Sequence, residues 1–138
     1  MTRYAIDAPT LLRLVDDDLP VDPAHQLVAP KSIHSDALTR LLRDVRSGVR
    51  TEDEALATHE RLTSRGLRLL GDRVSRRVAW QLAREHGWDD LHDAEYLAVC
   101  RLQADALVTV DHALAARAAG IVPVAPLVTL LPPDTSGR

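Results

Sequence analysis

At 138 residues, 46% apolar and with a formal net charge of −3, the chain has the length and core material of one domain and lacks the basic excess of a generic nucleic-acid binder. No run of eighteen apolar residues offers a transmembrane span, and Met1-Thr2-Arg3-Tyr4 leads into an apolar segment without a signal-peptide pattern. The single cysteine, Cys100, excludes an internal disulfide framework, fits a cytoplasmic location and sits in an apolar helical pattern as a buried structural thiol.

Tyr4 to Asp7 predicts a buried strand. Pro9 suits the first turn of a helix through Leu11, Leu12, Leu14 and Val15. Asp16-Asp17-Asp18 would oppose that helix's dipole at its C-terminus and reads as a solvated loop. After a connection from Leu19 to His25, Gln26 to Ala29 predicts a second strand, stopped by Pro30. From Lys31 or Ser32 a long helix places Ile33, Ala37, Leu38, Leu41, Leu42 and Val45 on one face, with Gly48 past its end. Thr51-Glu52-Asp53-Glu54 is a capping box for a third helix that ends at Gly66. Leu67 to Leu70 is a short strand or a turn. Asp72 caps a fourth helix with Val74, Val78, Ala79 and Leu82 inward and Gly87 after it; Leu91 to Leu102 is a fifth. Ala106 to Val110 is the clearest strand, and Ala113 to Ala119 is a sixth helix closed by Gly120. Ile121 to Val124 is an edge strand, because Pro123 could not donate in a central one. These elements fill residues 1–131, and residues 132–138 read as a flexible tail.

Strands alternating with helices imply an α/β domain with a central parallel sheet, and ligands of such sheets bind at the carboxyl ends of the strands. Asp7 and Asp111 both fall at such ends. Asp36 lies on the second helix and Asp93 opens the fifth. Each acid has a plain reading: Asp7 and Asp111 as helix caps, Asp36 as an i,i+4 partner of Arg40, Asp93 as a complement to a helix start. Gathered together, four carboxylates repel one another unless a cation holds them, which points to a hard metal and to phosphate chemistry.

The matching segments are Tyr4-Ala5-Ile6-Asp7, Ala29-Pro30 with an acid six residues after the proline, Asp93-Ala94-Glu95-Tyr96, and Leu107-Val108-Thr109-Val110-Asp111. In this order and spacing the chain resembles the PIN-domain ribonucleases, in particular the toxin subunit of VapBC toxin–antitoxin systems. The resemblance spans Tyr4 to Val124. It implies a single α/β/α PIN-like domain whose metal-binding, catalytic acids fall on Asp7, Asp36, Asp93 and Asp111, with Mg²⁺ or Mn²⁺ as cofactor. The family usually has Glu where this chain has Asp36, one methylene shorter. Thr109 would orient Asp111 or a bound water, and Glu95, two residues past Asp93, would point to solvent or the rim. The implied activity is endoribonuclease cleavage by metal-activated water, giving 5′-phosphate and 3′-hydroxyl ends, by the toxin component of a type II toxin–antitoxin system. Its partners would be a cognate antitoxin protein and an RNA of the tRNA or rRNA class, with a homodimer possible through the third and fourth helices, Leu56 and Leu62 contributing, and no membrane.

Arg40 and Arg43 continue the Asp36 stripe, either as a rim guiding the RNA backbone or as surface ion pairs with Asp36 or Asp44. Arg73, Arg76 and Arg77 form a second basic cluster that reads as a solvated face, or else as an RNA or partner surface. His92 and His112 read as exposed, and the six histidines lack zinc spacing. Trp80 and Trp88 suggest core or interface burial. A catalytically weak or inactive PIN-like domain that binds RNA or a protein is the alternative, supported by Asp36 alone. A haloacid-dehalogenase phosphatase is disfavoured by Pro9, two residues after Asp7 where that chemistry needs an acid, and a receiver domain by the position of Lys31.

Overall fold

The computed structural model describes residues 1–133. Residues 134–138, most of the expected tail, lie outside the described residues. The chain runs β1 (Thr2–Ile6), α1 (Ala8–Asp16), β2 (His25–Pro30), α2 (Ile33–Arg46), α3 (Glu52–Thr63), β3 (Leu67–Leu70), α4 (Arg73–His86), α5 (His92–Gln103), β4 (Ala106–Val108), α6 (His112–Ala118) and β5 (Val124–Ala125), then a 3₁₀ turn at Leu127–Leu130. The five strands form one parallel sheet in the order β3-β2-β1-β4-β5. This is the expected α/β/α PIN-like architecture. No described helix is long and apolar enough to cross a membrane.

β1 is central because it is apolar toward both faces: Ala5 and Ile6, on opposite sides of the pleat, are both fully buried. α5 packs on β1, β2 and β4 and also against α4, so Ala94, Tyr96, Leu97, Ala98, Val99 and Cys100 are all buried and the helix has little solvated face. Burial pushes the Cys100 thiol up to about 12, which leaves it inert. α1, α2 and α3 pack on one another. α3 starts with the full Thr51–Glu54 capping box, and α4 runs from the Asp72 cap to Gly87, whose left-handed φ of 69° suits glycine.

Several sequence expectations are corrected. Pro30 is the last residue of β2 rather than its stop: pairing with β1 ends at Ala5–Val28, so no ladder bond is lost where proline lacks its N–H, and the next N–H, of Lys31, donates to Leu70 O at 2.9 Å. β4 ends at Val108, because the N–H groups of Val110 and Asp111 turn to the hydroxyls of Thr10 and Thr109. The edge strand β5 is shorter and starts after Pro123, whose carbonyl accepts from Leu107 N at 2.8 Å. Asp16 is not free in a solvated loop. Arg50 grips it (2.6 Å) and Asp44 (2.9 Å), while Arg61 of α3 and Arg65 just beyond its end donate to the last carbonyls of α1, at Val15 and Leu14. Cations on those carbonyls satisfy the helix end that the acids would have opposed.

The apolar faces are narrower than the spacing suggested. Leu38, Leu42 and Val74 are exposed, and Trp80 is 60% exposed rather than in the core. Leu62, suggested for a dimer surface, is fully buried inside this chain, whereas Leu56 is exposed. Leu97→Ala is expected to cost about 2–5 kcal/mol and Leu42→Ala no more than about 0.5 kcal/mol, read as shifts in the urea midpoint. Equal losses at the two positions would contradict this assignment of the core.

Candidate active site

β1 and β4 lie side by side where the strand order reverses, the point at which open parallel sheets leave a crevice at their carboxyl ends. Asp7 follows β1 directly and is only 2% exposed. One of its oxygens accepts from Thr10 N at 3.2 Å and from the Thr10 hydroxyl. The other accepts from the Thr109 hydroxyl at 2.6 Å. Each hydroxyl oxygen in turn receives a backbone N–H: Val110 N donates to Thr10 Oγ1 at 3.1 Å and Asp111 N to Thr109 Oγ1 at 3.0 Å. With those N–H groups donating inward, each threonine gives its proton to Asp7. Three donors therefore converge on one buried carboxylate. Burial still dominates, and it raises the Asp7 pKa above the ordinary carboxylate value against the lowering effect of those hydrogen bonds. Thr109 thus differs from its expected role: its side chain holds the Asp7 carboxylate and only the backbone of Asp111.

Asp111 caps α6, accepting from Ala113 N at 2.9 Å, and faces the same cleft as Asp7, Asp93, Arg40, His92 and Tyr96. Asp36 reaches it from α2 through the Tyr96 hydroxyl, which donates to Asp36 Oδ2 at 2.6 Å. His92 is not a detached surface residue. It stands between two acids, with Nε2 3.2 Å from Asp36 Oδ2 and Nδ1 3.1 Å from Asp93 Oδ1. Partial burial would lower its pKa, but the hydrogen bond to Asp93 and the charges of Asp36, Asp93 and Asp90 outweigh that and raise it. Arg117 of α6 binds the other oxygen of Asp93 at 3.1 Å. The Arg117 guanidinium also lies 4.9 Å from the Trp88 ring centroid, and Trp88 stacks on His86 at 5.0 Å.

Arg40 lines the cleft and Arg43 does not; no ion pair joins either to Asp36 or Asp44 among the described residues, and Asp44 belongs to Arg50. Glu95 turns away from the cleft and accepts from Ser32 Oγ at 3.3 Å. Sequence reasoning missed Thr10, Tyr96 and Arg117. Thr10 and Tyr96 each sit three residues after an acid on a helix, a spacing that puts them on its face. Arg117 carries no such signal.

The donor set is all carboxylate oxygen, the chemistry of a hard divalent cation. Among the described residues, however, no three His, Cys, Asp or Glu side chains stand close enough to hold an ion by themselves. A hard cation here would be held by one or two of these carboxylates and by water.

No family model matches the sequence, and no curated protein matches it. In structure the chain is similar to PAE2754 from Pyrobaculum aerophilum, with a TM-score of 0.73 and 24% identity over 94% of this chain and 92% of that one. It is also similar to VapBC-1 from nontypeable Haemophilus influenzae, with a TM-score of 0.62 and 14% identity over 92% of this chain and 99% of that one. The likeness is one of fold.

Because the folded protein raises the Asp7 pKa, ionised Asp7 costs stability above that value, and the cost is relieved as pH falls through it toward the unfolded value of about 3.9. Asp7→Asn should therefore melt higher than the wild type at pH 7 in EDTA, with the gap closing toward pH 4. A gap independent of pH would show that burial does not strain this carboxylate.

Proposed function

We propose that the chain is a Mg²⁺- or Mn²⁺-dependent endoribonuclease acting as the toxin of a type II toxin–antitoxin pair. The observation that supports this reading is that Asp7, Asp93 and Asp111 line one cleft at the carboxyl edge of the sheet, with Asp36 beside it on Tyr96 and His92. In this reading one or two of Asp7, Asp36, Asp93 and Asp111 would hold the cation directly and the others through its waters. A bound divalent ion supplies an activated water and neutralises charge on the scissile phosphate. The desolvated, acceptor-locked Asp7 is the strongest local demand for positive charge. Thr10 and Thr109 keep its lone pairs aimed, Tyr96 fixes the short Asp36 side chain, and Arg40 contacts the RNA backbone at the rim. Water attack on phosphorus with departure of the 3′ oxygen leaves 5′-phosphate and 3′-hydroxyl ends. The expected substrate is an RNA of the tRNA or rRNA class in the cytoplasm. An antitoxin partner is supported by the name of one structural neighbour, VapBC-1. The exposed Leu56, Val74 and Trp80 on α3 and α4 suit a homodimer face.

The alternative, a binding domain without cleavage, is favoured by one observation: Asp93 already has Arg117 as an ion-pair partner and His92 as a hydrogen-bond partner. Thermal melting with titrated Mn²⁺ separates the two. A ligand that binds only the folded state raises the midpoint, by roughly 2.7 kcal/mol of stabilisation at a hundredfold excess over Kd. The nuclease reading expects that rise in the wild type, its loss in Asp7→Asn, and RNA cleavage with non-cyclic ends. No metal response with or without RNA would leave the binding reading standing.

Arg117→Gln removes the competitor at Asp93. It should tighten Mn²⁺ binding several-fold in the same titration; unchanged or weaker binding would assign Arg117 a role in supporting the site instead.

A further inference from the structure

The first turn of α2 and the middle of α5 form a ridge. Asp36 and Tyr96 face the acidic cleft on one side of it. On the other, at the carboxyl ends of β2 and β3, lies a second cavity of about 270 Å³. Its apolar walls include Leu70 and Val99, and its polar groups include Lys31, Ser32, Arg76 and Glu95. The two cations are set by the β3–α4 turn. Gly71 leaves room for the Lys31 stem, since a Cβ there would lie 3.0 Å from Lys31 Cδ and 3.1 Å from Cγ. Arg76 donates to Gly71 O at 2.8 Å. Glu95 uses Oε2 to accept from Ser32 at 3.3 Å, and Oε1 has no protein donor among the described residues. Neither Lys31 nor Arg76 forms an ion pair with Glu95 or with any other described residue. Two cations and a carboxylate thus stand around apolar walls with bonding capacity left over.

That combination fits a ligand with an anionic group, a flat apolar body and an amino group on its edge. We propose that this cavity binds a single nucleotide of RNA, its phosphate on Lys31 and Arg76, its base between the apolar walls and its exocyclic amino group donating to Glu95. The proposal rests on the reading of the neighbouring cleft as an RNA site. Ser32 and Asp36 are one helical turn apart, a rise of about 6 Å, so a strand crossing the ridge engages both. Adenine, cytosine and guanine carry the amino group and uracil does not, so the site discriminates against uridine. It is a size that takes one base and excludes a stacked pair.

The test is binding of AMP, CMP, GMP, UMP and inorganic phosphate to the metal-free full chain in EDTA, followed by NMR chemical-shift titration. The wild type is expected to bind UMP at least threefold more weakly than the other three, with shifts centred on Val99 and Leu70. Glu95→Ala should bring the four nucleotides within about twofold of one another. Lys31→Ala/Arg76→Ala should weaken all of them at least fivefold and flatten the salt dependence; Lys31 and Arg76 are exposed and Glu95 half-buried, and the melting midpoint of each variant checks that it is folded. Asp7→Asn should bind nucleotides as the wild type does. Equal binding of all four by the wild type, binding of phosphate as tight as that of AMP, an unaltered Lys31→Ala/Arg76→Ala variant, or no saturable binding would each overturn the proposal. Failure of the nuclease reading looks different: nucleotides bind as described, while Mn²⁺ fails to raise the melting midpoint and RNA stays intact.

Discussion

Everything at the carboxyl edge of the sheet is referred to one buried carboxylate. Asp7 caps α1, accepts both threonine hydroxyls and, through them, fixes the backbone of Val110 and Asp111. The polarity of this network is determined because each hydroxyl already receives an N–H. Asp7 is left as an acceptor on both oxygens, while burial raises its pKa against those hydrogen bonds. The strand ends, the first helix and the β4–α6 turn are joined around this carboxylate.

Basic side chains already occupy part of this edge. His92 spans Asp36 and Asp93, and Arg117 closes on Asp93 with its other face on Trp88. Isolated acids at this separation would repel, and the Arg117 guanidinium offsets that repulsion at Asp93. Asp36 illustrates the accommodation. The Tyr96 hydroxyl donates to one of its oxygens and His92 lies beside the same oxygen.

Much of the architecture was legible in the sequence, because the signals were local. The Thr51–Glu54 capping box, Gly87 after α4 and the doubly apolar β1 declare themselves within a few residues. The four acids could be ordered along the chain for the same reason. What could not be read depended on distant partners. Arg50 pairing with Asp16 joins residues 34 positions apart, and the contact of Arg117 with Asp93 joins residues 24 apart. Helical spacing put Leu38, Leu42 and Val74 on apolar stripes wider than the interface beneath them, because periodicity shows which way a residue points but not how far its neighbour reaches. Glu95 was assigned to solvent by its offset from Asp93; that offset is what carries it into a different cavity.

Lys31 is the chain's single lysine, its stem laid across Gly71 at the mouth of that cavity. Amine-reactive reagents therefore have one side-chain target. The only thiol, Cys100, is buried and stays protonated at neutral pH, so a dye or spin label attached through the ε-amine is not diluted by labelling at cysteine. The carboxyl edge of the sheet comes with its own attachment point for a reporter, at the mouth of one cavity and a helical turn from the acidic cleft, and no engineered cysteine is needed.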